Sequence, residues 1–157
     1  TPTVEKLRDD FNFPGMKILQ FAFGTDWENP YLPHNYIKNC VVYTGTHDNN
    51  TSNGWFYGDE ICTEDREYIM EYLHMKDWSE FHWRLIREAY ASVADLVIIP
   101  AQDILGYGAE FRMNTPGTTE NNWSWKLTKG VITDDIVKKL RRMAEIFRRI
   151  QGKSIKE

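Results

Sequence analysis

Apolar positions along this chain gather into three short runs and four longer patterns of helical spacing. Residues 18–23, 40–43 and 96–99 show no polar–apolar alternation, which suits strands buried on both faces of a parallel sheet. Residues 3–11 predict a short helix, with Val4, Leu7 and Phe11 at helical spacing, that leads directly into the first strand. Thr63 reads as an N-cap, with Glu64 and Asp65 in the first turn and Ile69, Met70 and Leu73 along one side. A further helix starts at Ser79 and carries Phe81, Leu85, Ile86, Ala89, Tyr90 and Val93. The clearest pattern comes last. Thr133 is its cap, Asp134 and Asp135 sit at the positive end of the dipole, and Ile136, Leu140, Ala144 and Phe147 form the buried stripe.

The predicted order is helix, strand, loop, strand, two helices, strand, irregular segment, helix, an α/β run of βα units. Pro30 and Pro33 forbid a long helix in the connection 24–39. Three strands make a poor sheet by themselves, and a complete eight-unit barrel needs about 250 residues. The 157 residues are therefore expected to form one domain, 1–157, that is itself a piece of something larger. No repeat or low-complexity tract interrupts it.

Composition removes several function classes. With 19 basic against 23 acidic residues the net charge is -4, so attraction to phosphate backbones is not favoured and no nucleic-acid partner is expected. The longest apolar stretch, 96–101, is far shorter than the roughly 20 residues that span a bilayer. No basic-then-apolar leader opens the chain, and no membrane association is expected. Cys40 and Cys62 are too few for a disulfide scaffold and make no paired metal motif, which fits a reduced, cytoplasmic setting. The sequons at 49–51, 50–52 and 122–124 read as chance. The 8 Phe, 8 Tyr and 6 Trp frequently sit beside Gly, Pro, Asn and Thr, where they serve either a binding surface or a small core.

Each strand runs into a polar cluster: Gly24-Thr25-Asp26, then Thr46-His47-Asp48-Asn49-Asn50, then Gln102-Asp103. Parallel sheets bind ligands at strand C-terminal ends, so these clusters are expected to share a rim. His47 and Asp48 are the catalytic candidates. A metal pair is the rival, but neighbours on an extended chain point to opposite sides and no HExxH spacing accompanies them, so no metal is expected. Gly106-Tyr107-Gly108 follows a strand, yet Phe111 stands where a dinucleotide fingerprint needs its third Gly; no P-loop or Gly-x-Ser-x-Gly elbow is present. The amides, hydroxyls and indoles of 112–119 and 122–125 suit sugars, whose hydroxyls want hydrogen bonds and whose C–H faces want rings. Lys138, Lys139, Arg141, Arg142, Arg148 and Arg149 read as the solvated, cationic end of the last helix.

Four blocks carry a resemblance: PGMKILQFAF at 14–23, NPYLPHNY at 29–36, VYTGTHDN at 42–49 and RMNTPGT at 112–118. In order and spacing they resemble the amylomaltases, also called 4-alpha-glucanotransferases or disproportionating enzymes, over nearly the whole chain. The resemblance implies the C-terminal fragment of a (β/α)₈ TIM barrel, about strands six to eight. It also implies transfer of α-1,4-glucan segments between maltooligosaccharides without metal or organic cofactor.

Retaining sugar transfer uses two carboxyl groups about 5–5.5 Å apart, one as nucleophile and one as acid then base. The family adds a third carboxylate, which Asp48 matches, with His47 beside it. The nucleophilic Asp and acid/base Glu belong to earlier strands, so the remainder of the parent chain is an implied partner and the fragment alone is expected to be inactive. Asn114 matches a sugar-contacting position and Phe21 an aromatic of the cleft. The family often has an Asp soon after the Phe-Ala-Phe block; here Gly24 and Thr25 intervene and Asp26 follows as the candidate contact. Asn50 replaces a common Asp, and Asn121 stands where Gly is usual. A stand-alone carbohydrate-binding module and an α-glucan hydrolase of similar fold are the alternatives.

Overall fold

The computed structural model describes residues 1–24 and 26–150. Helix α1 (Pro2–Asp10) precedes strand β1 (Gly15–Ile18), and a mostly irregular crossover, with 3₁₀ turns at Leu19–Phe21 and Pro33–Asn35, leads to β2 (Cys40–Tyr43). Helices α2 (Ser52–Tyr57), α3 (Thr63–Tyr72) and α4 (Phe81–Ala91) follow, then β3 (Leu96–Ile98), α5 (Ala101–Ile104) and α6 (Asp134–Ile146). The strands form a parallel sheet in the order β1-β2-β3, with Ile18, Tyr43 and Ile98 in one row. The expected succession is present with two short helices added, α2 between β2 and the two predicted helices and α5 just after β3.

One face of the sheet carries Cys40 and Val42, both fully buried, against a core of Leu19, Trp55, Phe56, Ile69, Phe81 and Leu85. Its densest contact is the Phe56–Phe81 stack, with centroids 3.8 Å apart and planes 8° from parallel. The other face carries Met16, Tyr43, Leu96 and Ile98, of which Met16 is 56% and Leu96 51% exposed. This corrects the expectation of strands buried on both faces: among the described residues the helices cover one face only. The first run is also shorter as a strand than predicted. After Ile18 the chain tightens into a 3₁₀ turn at Leu19–Phe21, which buries Leu19 and directs Gln20 Nε2 onto Asn50 O at 2.9 Å.

Helix starts shift for local reasons. Cys62, not Thr63, caps α3: its Sγ accepts from Asp65 N at 3.4 Å. Ser79 belongs to the turn before α4, where its N donates to Asp77 Oδ1 at 2.8 Å, and left-handed Glu80 (φ 53) opens the helix. Thr133 caps α6 as expected, with Oγ1 accepting from Ile136 N. The α6 stripe packs on Trp83 and Ile86 through Ile136, Leu140 and Met143. Two of the cations read as solvated have partners outside α6. Lys139 Nζ lies 3.2 Å from Glu80 and 4.2 Å from the centre of the Trp83 ring. Arg149 donates to Tyr90 O, Ser92 O and Ala94 O at 2.7, 2.6 and 2.8 Å, tying the end of α6 to the end of α4.

Candidate active site

Past Tyr43 the chain leaves β2 and does not reach α2 until Ser52. Asp103, 1% exposed at the start of α5, pins both ends of this segment. Its Oδ2 accepts from Thr44 Oγ1 at 2.5 Å and its Oδ1 from Ser52 N at 2.7 Å. Burial raises its pKa above the usual carboxylate value, while the Ser52 and Thr44 donors pull the other way. Gly45 sits at a close approach: a Cβ there would lie 2.6 Å from Gln20 Nε2 and push that amide off Asn50 O. Between the pinned ends, Asn49 Oδ1 accepts from Thr46 N at 2.9 Å and Thr46 Oγ1 at 2.8 Å, while Asn49 N donates to Thr46 O.

That turn changes the expected disposition of His47 and Asp48. They do not point to opposite sides, because 46–49 is a turn and not an extended chain. Both stand at the open tip, each about half exposed, with His47 Nε2 3.5 Å from Asp48 Oδ1. The loop 112–125 closes over them. Asn114 N donates to His47 O at 3.1 Å and Asn114 Nδ2 to Asp48 Oδ1 at 2.6 Å. Asp48 Oδ2 has no protein donor among the described residues, and about half of the side chain is exposed. Trp123 packs its indole on the His47 ring at 4.9 Å, and the Trp123 backbone N–H donates to Met113 O at 2.8 Å. Asn121 (φ 59) and Trp123 (φ 57) are both left-handed. Asn tolerates that region well, which accounts for Asn121 at a position where the resembled family has Gly.

Beside this tip lies an open cleft of about 780 Å³. Met16, Ile18, Tyr43 and Ile98 of the uncovered sheet face line it, with Phe21, His47 and Asp48 at the strand C-terminal ends. Phe21 is half exposed and braced edge-on by Tyr31 at 5.5 Å. A smaller pocket of about 190 Å³ behind the loop brings Gln102, Asp103, Arg112 and Trp123 to the other side of His47. The second and third polar clusters therefore meet, as expected of a shared rim. The first is not brought to it: Asp26 lines neither cavity, and its Oδ1 accepts from Glu28 N at 2.9 Å in a local turn. Thr25 lies outside the described residues. Among the described residues no three His, Cys, Asp or Glu side chains gather to hold a metal ion. Rings divide between both expected roles, Trp55, Phe56 and Phe81 in the core and Phe21 and Trp123 at the site.

Sequence reading did not single out Asp103 as an anchor, Arg112 as a partner of Asp48 or Trp123 as a partner of His47. The available signals were an acidic residue just after a strand and an Arg two positions before a sugar-type Asn.

The family model for 4-alpha-glucanotransferase matches residues 1–133. The chain belongs to this family. Among 4-alpha-glucanotransferases it is 49% identical over 150 residues to that of Synechocystis sp., covering 95% of this chain and 29% of that protein. It is 44% identical over 147 residues to the chloroplastic/amyloplastic protein of Solanum tuberosum, covering 94% and 25%. Amylomaltase from Streptococcus agalactiae, solved in complex with acarbose, superposes with a TM-score of 0.88 at 34% identity, covering 94% of this chain and 30% of that one. The chain thus spans under a third of the length of these relatives, and the 4-alpha-glucanotransferase signature falls on the part carrying Phe21, His47, Asp48 and Asn114.

Proposed function

We propose that the full-length protein transfers α-1,4-glucan segments between maltooligosaccharides with retention, and that this chain supplies strands six to eight of a (β/α)₈ barrel. A nucleophilic Asp and an acid/base Glu act from other strands of the parent chain. Asp48 binds sugar hydroxyls through its open oxygen, and its negative charge steadies the oxocarbenium-like transition state. His47 flanks the same ring. Asn114 orients Asp48 and contacts sugar, and Phe21 offers a ring to the sugar's C–H face. The chemistry needs no metal or organic cofactor, and the setting is cytoplasmic. No described helix is long and apolar enough to cross a membrane.

The observation that carries this reading is the placement of the Asp48 carboxylate. It is half exposed at a parallel-strand end, held at 2.6 Å by Asn114 Nδ2 and set on the wall of an apolar-floored cleft. The structural likeness to an amylomaltase solved with acarbose supports the same substrate class. In the full-length protein, Asp48→Asn is expected to lower kcat on maltotriose by roughly 100- to 1,000-fold while sugar affinity changes little, the signature of a group that acts in the transition state. Product chain lengths and a binding isotherm check this. Wild-type turnover in the variant would remove Asp48 from the mechanism, and glucose release without longer products would make the enzyme a hydrolase.

A further inference from the structure

Arg112 follows the 3₁₀ turn at Ala109–Phe111, and only 23% of its side chain is exposed. Its guanidinium meets two carbonyls from distant parts of the chain. Nη2 donates to Asp48 O at 2.6 Å, and Nε donates to Asn114 O at 2.9 Å. Those two residues are joined again through their side chains, Asn114 Nδ2 to Asp48 Oδ1 at 2.6 Å. The remaining edge, Nη1, lies 3.9 Å from Glu60 Oε1. Glu60 is in turn held by Asn50 Nδ2 at 2.6 Å, two residues beyond Asp48. The guanidinium therefore closes a ring of contacts around the tip that bears the carboxylate. Only a planar fork with fixed donor directions serves two carbonyls and a carboxylate at once; a lysine ammonium is a single point of charge on a flexible stem.

Resting on the reading of Asp48 given above, we propose that Arg112 is a positioning residue that fixes the peptide plane of Asp48 and so aims its carboxylate at the reacting sugar ring. It acts through Asp48 and Asn114, not on the sugar. Its effect belongs to the turnover step, because a reacting group displaced by about 1 Å loses up to about 100-fold in rate.

The test compares the full-length wild type, Asp48→Asn, Arg112→Lys and the double variant on maltotriose. Arg112→Lys is expected to lower kcat by about 10- to 100-fold with KM changed by less than about threefold. In the Asp48→Asn background the same lysine is expected to lower kcat by less than about threefold, since the group being aimed is already gone. If Arg112→Lys does not fold, Arg112→Ala assayed with added millimolar guanidinium reads the same role, and recovery of kcat at constant KM supports it. Wild-type kcat in Arg112→Lys, an equal loss in both backgrounds, or an Arg112→Ala protein that guanidinium does not restore overturns the proposal. Wild-type turnover in Asp48→Asn overturns the reading of Asp48 and this proposal together. An impaired Asp48→Asn beside an unimpaired Arg112→Lys overturns the proposal alone.

Discussion

His82, on α4, is held neutral by its surroundings: burial first, then nearby Lys139, push its pKa down from 6.5 to about 4, while Glu80 pulls the other way. Its ring packs on Gly106 (φ +66), where a Cβ would come within 2.8 Å of the imidazole. Because the folded pKa lies below the unfolded one, the unfolded chain takes up a proton first as the pH drops. The stability gained is complete above about 6.5 and is lost as pH falls toward about 4. Replacing His82 with Gln is expected to flatten the acid side of the unfolding midpoint against pH over that window; an unchanged slope would show that His82 does not titrate there. At this scale the sequence was most informative where chemistry is local. His47 and Asp48 follow a strand, and Asn121 stands in for Gly at a left-handed position. It was silent on His82, whose neutrality depends on tertiary burial and on a lysine from another element.

Among the elements, α4 and α6 were legible because several apolar positions repeat at helical spacing and Thr133 is a strong cap. Helices α2 and α5 were not, since six and four residues are too few to show a period and Gly54 interrupts the first. The end of α6 was misread for a different reason: a run of cations looks solvated whichever way each one points. Lys139 and Arg149 are the exceptions, the first reaching Glu80 and Trp83, the second reaching three carbonyls in the last turn of α4 and just beyond it. Arg149→Met, which keeps the stem but leaves those carbonyls without a donor, is expected to cost about 2 kcal/mol or more. Arg142→Met, an exposed pair with Glu145, is expected to stay within about 0.5 kcal/mol. Urea unfolding of both variants distinguishes an anchor from a surface charge, and equal small effects would dismiss the anchor.

At the scale of the whole chain, the described helices cover one face of the sheet, and residues of the other face line the cleft beside Asp48. In the proposed mechanism the chain holds one of the three carboxylates used in transfer. Incubated alone with maltotriose, the 157-residue chain is therefore expected to release neither glucose nor longer products above background. Turnover by the chain alone would refute the assignment of nucleophile and acid/base to other strands. Sequence by itself determined the order of βα units, the family and the strand end bearing His47 and Asp48, because periodicity, caps and contiguous motifs act over a few neighbouring residues. Only the tertiary structure decided that His47 and Asp48 share a side, that Arg112 and Asn114 close on Asp48 from 64 and 66 positions away, and that Asp26 turns into a local bend. Contacts at that separation arise from how the loops pack over the strand ends, a geometry that no local pattern encodes.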